Sequence, residues 1–314
     1  RKQVYLKAVE QAVQEYELQR RRVENDVDLA VVDVLVAREN TRIAEHLASL
    51  ARQAAEAAEK LYAAQEVGRT DVIRTQIELE QADAAVDDAR FEEAAAWRRL
   101  AALIGEPDLP PQPLEDRLDE AVPDLDWETV RAQLWRESPE IAKAAAQIEQ
   151  ARARLAAECA ERSPDVDLEM GVHYNDATDD TVASVGVTVP LKVYDRNTGR
   201  IHAAEHELAI ARQELRRIEL SLQSRLAEVF RDYEQAKTEY RRYKDEILPR
   251  AEQALSMIRE GYRQGELGLL DLLSAQRTYF QARRTAENAL GDVWKAAIAV
   301  QGLLLVGSLE PIDR

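Results

Sequence analysis

The chain has 314 residues, with Phe, Tyr and Trp at only 5%, charged residues at 32% and a formal net charge of −17. Ala, Glu, Leu and Arg dominate, the profile of long helices meeting through narrow small-residue seams, which argues against a thick globular core. The acidic balance disfavours nucleic acid or anionic lipid as a partner, and a single cysteine, Cys159, excludes an internal disulfide framework or a multi-cysteine metal cluster.

The first segment, residues 1–105, contains no proline and no glycine before Gly68, so its first 60 or so residues are predicted to run as one helix. The Arg20-Arg21-Arg22 run within it is flanked by acids and reads as a solvated helix face. Gly68 interrupts the helix, and Asp71 stands where the first turn of a returning helix favours an acid. The return is expected to run to about Leu103 and close at Gly105.

A connector with short helices follows over 106–163. Pro107, Pro110, Pro111, Pro113 and Pro123 mark an extended stretch. A short helix is predicted over Asp126–Arg136, and Ser138-Pro139-Glu140 then places Ser at an N-cap and Pro at the first helical turn. That helix is expected to continue to about Glu161.

Residues 164–190 read as a β hairpin. Val166, Leu168, Met170, Val172 and Tyr174 alternate with Asp167, Glu169, Gly171, His173 and Asn175, and Ala183, Val185, Val187 and Val189 alternate with Ser184, Gly186 and Thr188. Period two over two adjacent strands gives one apolar and one polar face. The Ala-rich helices offer the apolar face no obvious partner, and strands of this pattern suit an outer-membrane barrel wall.

From 191 to 307 the helix–turn–helix theme returns, leaving 308–314 as a tail. Leu208, Leu215, Leu222, Val229, Ala236 and Tyr243 are spaced by seven, and the companion row Ala211, Ile218, Leu226, Tyr233, Tyr240 and Ile247 slips by one residue after Ile218. The slip keeps the average period near 3.6 and predicts a nearly straight helix, with a bend at Pro249. The chain is expected to turn through Gly261, Gly265 and Gly268 and to return from Leu270 to Val306.

Positions 200 apart match. Tyr62, Glu66, Gly68, Asp71, Gln76, Gln81 and Ala82 recur as Tyr262, Glu266, Gly268, Asp271, Gln276, Gln281 and Ala282. The predicted fold class is therefore mainly α: two long antiparallel helical hairpins related by an internal repeat, plus one β hairpin.

The stretch Pro190-Leu191-Lys192-Val193-Tyr194-Asp195-Arg196-Asn197, followed by Gly199 and a long helix, resembles the TolC-like outer-membrane efflux channels, and its aromatic-Asp-Arg-Asn form most resembles their heavy-metal branch. Tyr262-Arg263-Gln264-Gly265-Glu266-Leu267-Gly268-Leu269-Leu270-Asp271 is similar to the same family. The resemblance implies a homotrimeric conduit lodged in the outer membrane, with most of this chain in the periplasm. Its partners would be a periplasmic adaptor and an inner-membrane pump of the RND type or similar. It implies adaptor docking at the tip turns of Gly68, Gly265 and Gly268 and a periplasmic gate at Asp71, Asp271 and Ser274. It implies no cofactor. Set against that family, the first repeat lacks its leading helix and hairpin, so this chain is expected to behave as a monomer or a non-native oligomer, whereas the full-length parent would trimerise.

His202 and His206 lie four apart on one helix face beside Glu205, a spacing able to present two imidazoles to a metal, but without a third ligand nearby they read as ordinary polar positions. The Asp176, Asp179, Asp180 turn lacks the glycine and spaced carboxylates of a calcium loop. Trp97, Trp127, Trp135 and Trp294 read as packing residues. No nucleophile–base set or Gly-rich phosphate loop has a supporting context, so enzymatic activity is not expected. The competing reading is a soluble coiled-coil scaffold without a transport role.

Overall fold

The computed structural model describes residues 2–114, 118–119, 122–163, 165–177, 179–189 and 197–309. Its elements are α1 (Lys2–Ala63), α2 (Arg69–Ile104), α3 (Trp127–Glu137), α4 (Pro139–Ala160), β1 (Asp167–Asn175), β2 (Asp180–Thr188), α5 (Thr198–Arg242), a π-helical turn (Tyr243–Ile247), α6 (Leu248–Arg263) and α7 (Leu269–Gln301). Among the described residues no helix is long and apolar enough to cross a membrane.

The chain divides into two compact units, one of residues 1–18 and 137–221, the other of 19–136 and 222–314. In the first unit, α4 is tied to the start of α1 by Lys143 and Glu15 at 2.8 Å and to α5 by Arg154 and Glu207 at 2.9 Å. Ala144, Ile148, Ala204 and Leu208 are buried there. The same unit carries the antiparallel hairpin, with Leu168 opposite Val187, Met170 opposite Val185 and Val172 opposite Ala183.

The second unit holds both helical hairpins. Gln76 and Glu59, Asp83 and Arg52, and Arg90 and Glu45 meet across α1 and α2 at 3.2, 3.1 and 2.7 Å. Each step of seven up α2 is a step of seven down α1, which fixes an antiparallel register. Exposed pairs of this kind add little stability; the seam itself is apolar, built from Ala48, Ala51, Ala82 and Val86, and further along from Ala30, Val34, Ala37, Ala96, Trp97 and Leu100. Alanine-rich seams let helix axes approach closely, so few aromatic residues are needed.

In the second hairpin Tyr233, Ala236 and Tyr240 of α5 pack on Ala289, Leu290, Val293 and Ala296 of α7. None of the apolar positions in the two rows from Leu208 to Ile247 is exposed. Leu222, Leu226 and Tyr233 are fully buried, each stabilising the helix against its neighbours by about 1.5–3 kcal/mol. The α1 and α7 helices are also antiparallel neighbours: Glu39 meets Arg283 at 3.1 Å, Asn40 meets Asn288 at 2.9 Å and Asp33 meets Lys295 at 3.3 Å.

The Pro-rich connector is pinned by indoles. Trp97 Nε1 donates to Leu109 O at 2.8 Å, and Trp294 Nε1 donates to Leu118 O at 2.7 Å. The buried Tyr233 hydroxyl donates to Pro123 O at 2.7 Å and accepts from Leu125 N at 2.9 Å. An extended segment without ladder partners satisfies its backbone this way, through side chains reaching out from the helices.

Three local expectations change. The long helix expected to be nearly straight with a bend at Pro249 is interrupted instead by the π-helical turn, which separates α5 from α6 just before Pro249. Proline lacks the N–H for an i→i−4 bond, and a widened turn relieves its clash with the preceding carbonyls. Gly261 is helical, inside α6, and enters the turn only through its carbonyl, which accepts from Glu266 N at 2.9 Å. The return helix stops at Gln301, short of Val306, because Leu303 and Leu304 adopt left-handed φ values of 58° and 61°. Asn25 holds that reversal through hydrogen bonds from its Nδ2 to Gly302 O at 2.8 Å and Leu305 O at 2.7 Å.

Candidate functional site

Two kinds of surface stand out: the paired turns that close the helical hairpins, and the uncovered face of the β hairpin.

The turns are the same backbone object at an offset of 200. Gln65 N donates to Tyr62 O at 2.9 Å and Glu66 N to Leu61 O at 2.9 Å, while Gly265 N donates to Tyr262 O at 3.1 Å and Glu266 N to Gly261 O at 2.9 Å. This nested pair of bonds closes a helix whose last residue swings left-handed, and both residues do so: φ is 62° at Gln65 and 77° at Gly265. Gly68 and Gly268 then cap the returning helices in extended conformation, with φ of −83° and −81°. A left-handed backbone thus calls for glycine at Gly265 only. Its counterpart Gln65 escaped the sequence comparison because the two residues differ.

Asp71 and Asp271 occupy the third position of their helices. The Asp71 carboxylate accepts from Gly68 N at 3.3 Å and the Asp271 carboxylate from Gly268 N at 3.1 Å. Each acid therefore satisfies a free helix-end donor and complements the helix dipole. Ser274 is exposed one turn further on, and its carbonyl accepts from Thr278 Oγ1 at 2.9 Å.

Of the junction motif, Pro190, Tyr194, Asp195 and Arg196 lie outside the described residues. Asn197 is at φ 54°, a left-handed conformation that asparagine tolerates. Its Nδ2 donates to Glu158 O at 2.9 Å and Glu158 Oε2 at 2.8 Å, and its own carbonyl accepts from Ile201 N at 3.1 Å, so it anchors the start of α5 to α4. His202 and His206 are both exposed, with His202 Nδ1 3.0 Å from Glu205 Oε2. Among the described residues no group of three or more His, Cys, Asp or Glu side chains is arranged to hold a metal.

On the hairpin, Leu168, Met170, Val172, Tyr174, Val185 and Val187 are all exposed, Met170 and Val172 at 73%. They share one face by the strand register, and the opposite face carries Glu169, Gly171, His173, Ser184 and Gly186. An uncovered apolar sheet face with a polar back has the chemistry of a wall between hydrocarbon and water.

The family model described as outer membrane efflux protein matches residues 130–304, more than half of the chain. The chain belongs to the outer membrane efflux protein family. The cobalt-zinc-cadmium resistance protein CzcC of Cupriavidus metallidurans is 27% identical to this efflux protein over 286 residues, spanning 90% of it and 68% of CzcC. The outer-membrane channel OprN superposes with a TM-score of 0.78 at 20% identity, covering 98% of this chain and 71% of OprN. The outer membrane protein VceC of Vibrio cholerae superposes with a TM-score of 0.75 at 18% identity, covering 96% and 74%. This efflux protein thus has the fold of the helical domains of outer-membrane channels, and its function is that of an efflux channel component.

Proposed function

We propose that this chain is the outer-membrane duct of a tripartite pump that exports divalent metal cations, with the β hairpin in the membrane wall and the helical hairpins in the periplasm. The exposed apolar face of Leu168, Met170, Val172, Val185 and Val187 carries the reading, because a soluble scaffold has no use for two matched apolar rows without cover. The metal cargo is supported by the likeness to CzcC and by the Tyr194-Asp195-Arg196-Asn197 form of the junction motif.

In the full-length parent the duct works passively as a homotrimer, with the inner-membrane pump supplying energy and a periplasmic adaptor docking at the turns of Gly68, Gly265 and Gly268. Asp71 and Asp271, with Ser274 beside the latter, form the gate end; repeated around a trimer axis their carboxylates favour cations over anions. Capping and gating are compatible, since a carboxylate that accepts one capping hydrogen bond retains open lone pairs.

The test is metal export from cells. Cells lacking this channel, preloaded with cadmium, zinc or cobalt, should release the metals several-fold more slowly than the parent, and the intact gene should restore the rate. Equal release with and without the channel refutes the metal reading.

A further inference from the structure

In the second unit α1, α2 and α7 together line a cavity of about 820 Å3, a volume within the roughly 300–1,000 Å3 typical of small-molecule sites. Its apolar lining comes from Ile43 on α1, Ala89 on α2 and Phe280 on α7, all buried, together with Leu47. Phe91 lines it too and is exposed, so one aromatic ring stands open to whatever enters.

The polar lining is uneven. Asp88 and Glu92 stand one turn apart on α2, both exposed, while α7 brings Arg284 and Arg277, the latter taken up by Glu78. Two carboxylates thus face one uncommitted guanidinium. Asn40 also lines the cavity and is only 8% exposed; its Nδ2 donates to Asn288 Oδ1 at 2.9 Å, whereas its own Oδ1 is buried without a donor. A buried acceptor left unpaired is an unmet demand that a ligand N–H can satisfy. At the matching positions of the second repeat Tyr240, Tyr243 and Lys244 stand in place of Asn40, Ile43 and Ala44, so the smaller side chains of α1 leave room that the other repeat fills.

We infer that this cavity binds an amphipathic organic cation, with a flat aromatic body against Ile43, Leu47 and Phe91, a positive charge facing Asp88 and Glu92, and an N–H donated to Asn40 Oδ1. An open aromatic face attracts a cation through its quadrupole, and carboxylates strengthen each hydrogen bond from a charged donor. The inference goes beyond the metal-export reading and does not depend on it: the ligand is organic, and every lining residue belongs to one protomer.

The test uses the full-length channel in detergent and, as probe, ethidium, a flat aromatic cation with amino groups whose fluorescence rises on leaving water. It should bind saturably, at one site per chain. Asp88→Asn and Glu92→Gln should each weaken binding about two- to fivefold, and Phe91→Ala by a similar factor. Asp87→Asn, the same charge change outside the cavity, should leave binding as it was. Ala85→Phe, which fills the cavity, should abolish it. Asn40→Leu should weaken ethidium several-fold yet leave an N-methylphenanthridinium without amino groups unaffected, a split that a merely structural role for Asn40 would not produce. Melting curves of each variant control for folding, since Asp88, Glu92 and Phe91 are all exposed. An Asp87→Asn loss equal to that of Asp88→Asn marks general attraction to an acidic surface and overturns the site. Absence of saturable binding to the wild-type channel overturns it as well, and is the result expected if a neighbouring copy fills the cavity in the trimer. Either failure leaves the metal-export reading to its own test.

Discussion

Gln65 and Gly265 occupy the same left-handed position in two turns 200 residues apart, with φ of 62° and 77° and matching backbone hydrogen bonds. One repeat meets the conformation with the residue suited to it and the other with a residue that bears strain there.

Gln65→Gly should therefore stabilise the protein by about 0.5–1 kcal/mol, and Gly265→Gln should destabilise it by about 1 kcal/mol, since a side chain in the left-handed region costs on that order. A Cβ at Gly265 would meet nothing within 4 Å, so the whole effect is conformational. Thermal melting of both variants checks the signs; equal and opposite roles for the two positions would be contradicted by a loss of stability in Gln65→Gly.

Glu287 gives the protein a pH dependence. Burial first, then the neighbouring Glu39 and Asp119, push its carboxyl up to about 6, with Arg283 opposing. An acid with a raised folded-state pKa contributes stability that is complete below the unfolded value and lost as pH rises through about 6. Glu287→Gln should accordingly raise stability at pH 7.5 by on the order of 1 kcal/mol, allowing for solvent screening on its open side. The advantage should vanish near pH 4. Melting curves at the two pH values read this directly.

Gly291 and Phe91 show how far the repeats diverge on the same backbone. A Cβ on Gly291 would stand 2.5 Å from Val36 Cγ2, whereas Phe91, its counterpart, is 72% exposed. Gly291→Ala should cost about 1–3 kcal/mol, because a β-branched neighbour yields poorly to overpacking, and Phe91→Ala should change the isolated chain's stability by less than about 0.5 kcal/mol. Denaturant titration of the pair tests whether α1 and α7 approach as closely as described.

The regular elements were legible in the sequence because their signals are periodic. The heptad rows buried Leu222, Leu226 and Tyr233 as their spacing demands, Gly105 ends α2 with φ 87°, and most of the alternating stretch forms the paired strands, Asp167–Asn175 against Asp180–Thr188. What stayed hidden depends on tertiary partners or on non-identical residues. Gln65 carries no turn signature of its own. The early stop of α7 depends on Asn25, nearly 280 residues away in sequence, clasping the carbonyls of Gly302 and Leu305. The capping bonds of Asp71 and Asp271 could be anticipated from the helix start alone, whereas their role at a gate depends on an assembly that one chain's sequence does not display.

The hairpin's environment is the most direct test of the account. Nitroxide labels placed one at a time from 167 to 175 and from 181 to 188, in full-length protein reconstituted into bilayers, can be probed for collision with oxygen and with a water-soluble nickel chelate. The account predicts period-two alternation, with Leu168, Met170, Val172, Val185 and Val187 open to oxygen and shielded from nickel, and Glu169, Gly171 and Ser184 the reverse. Uniform nickel access along both strands would contradict a membrane wall and, with it, the conduit.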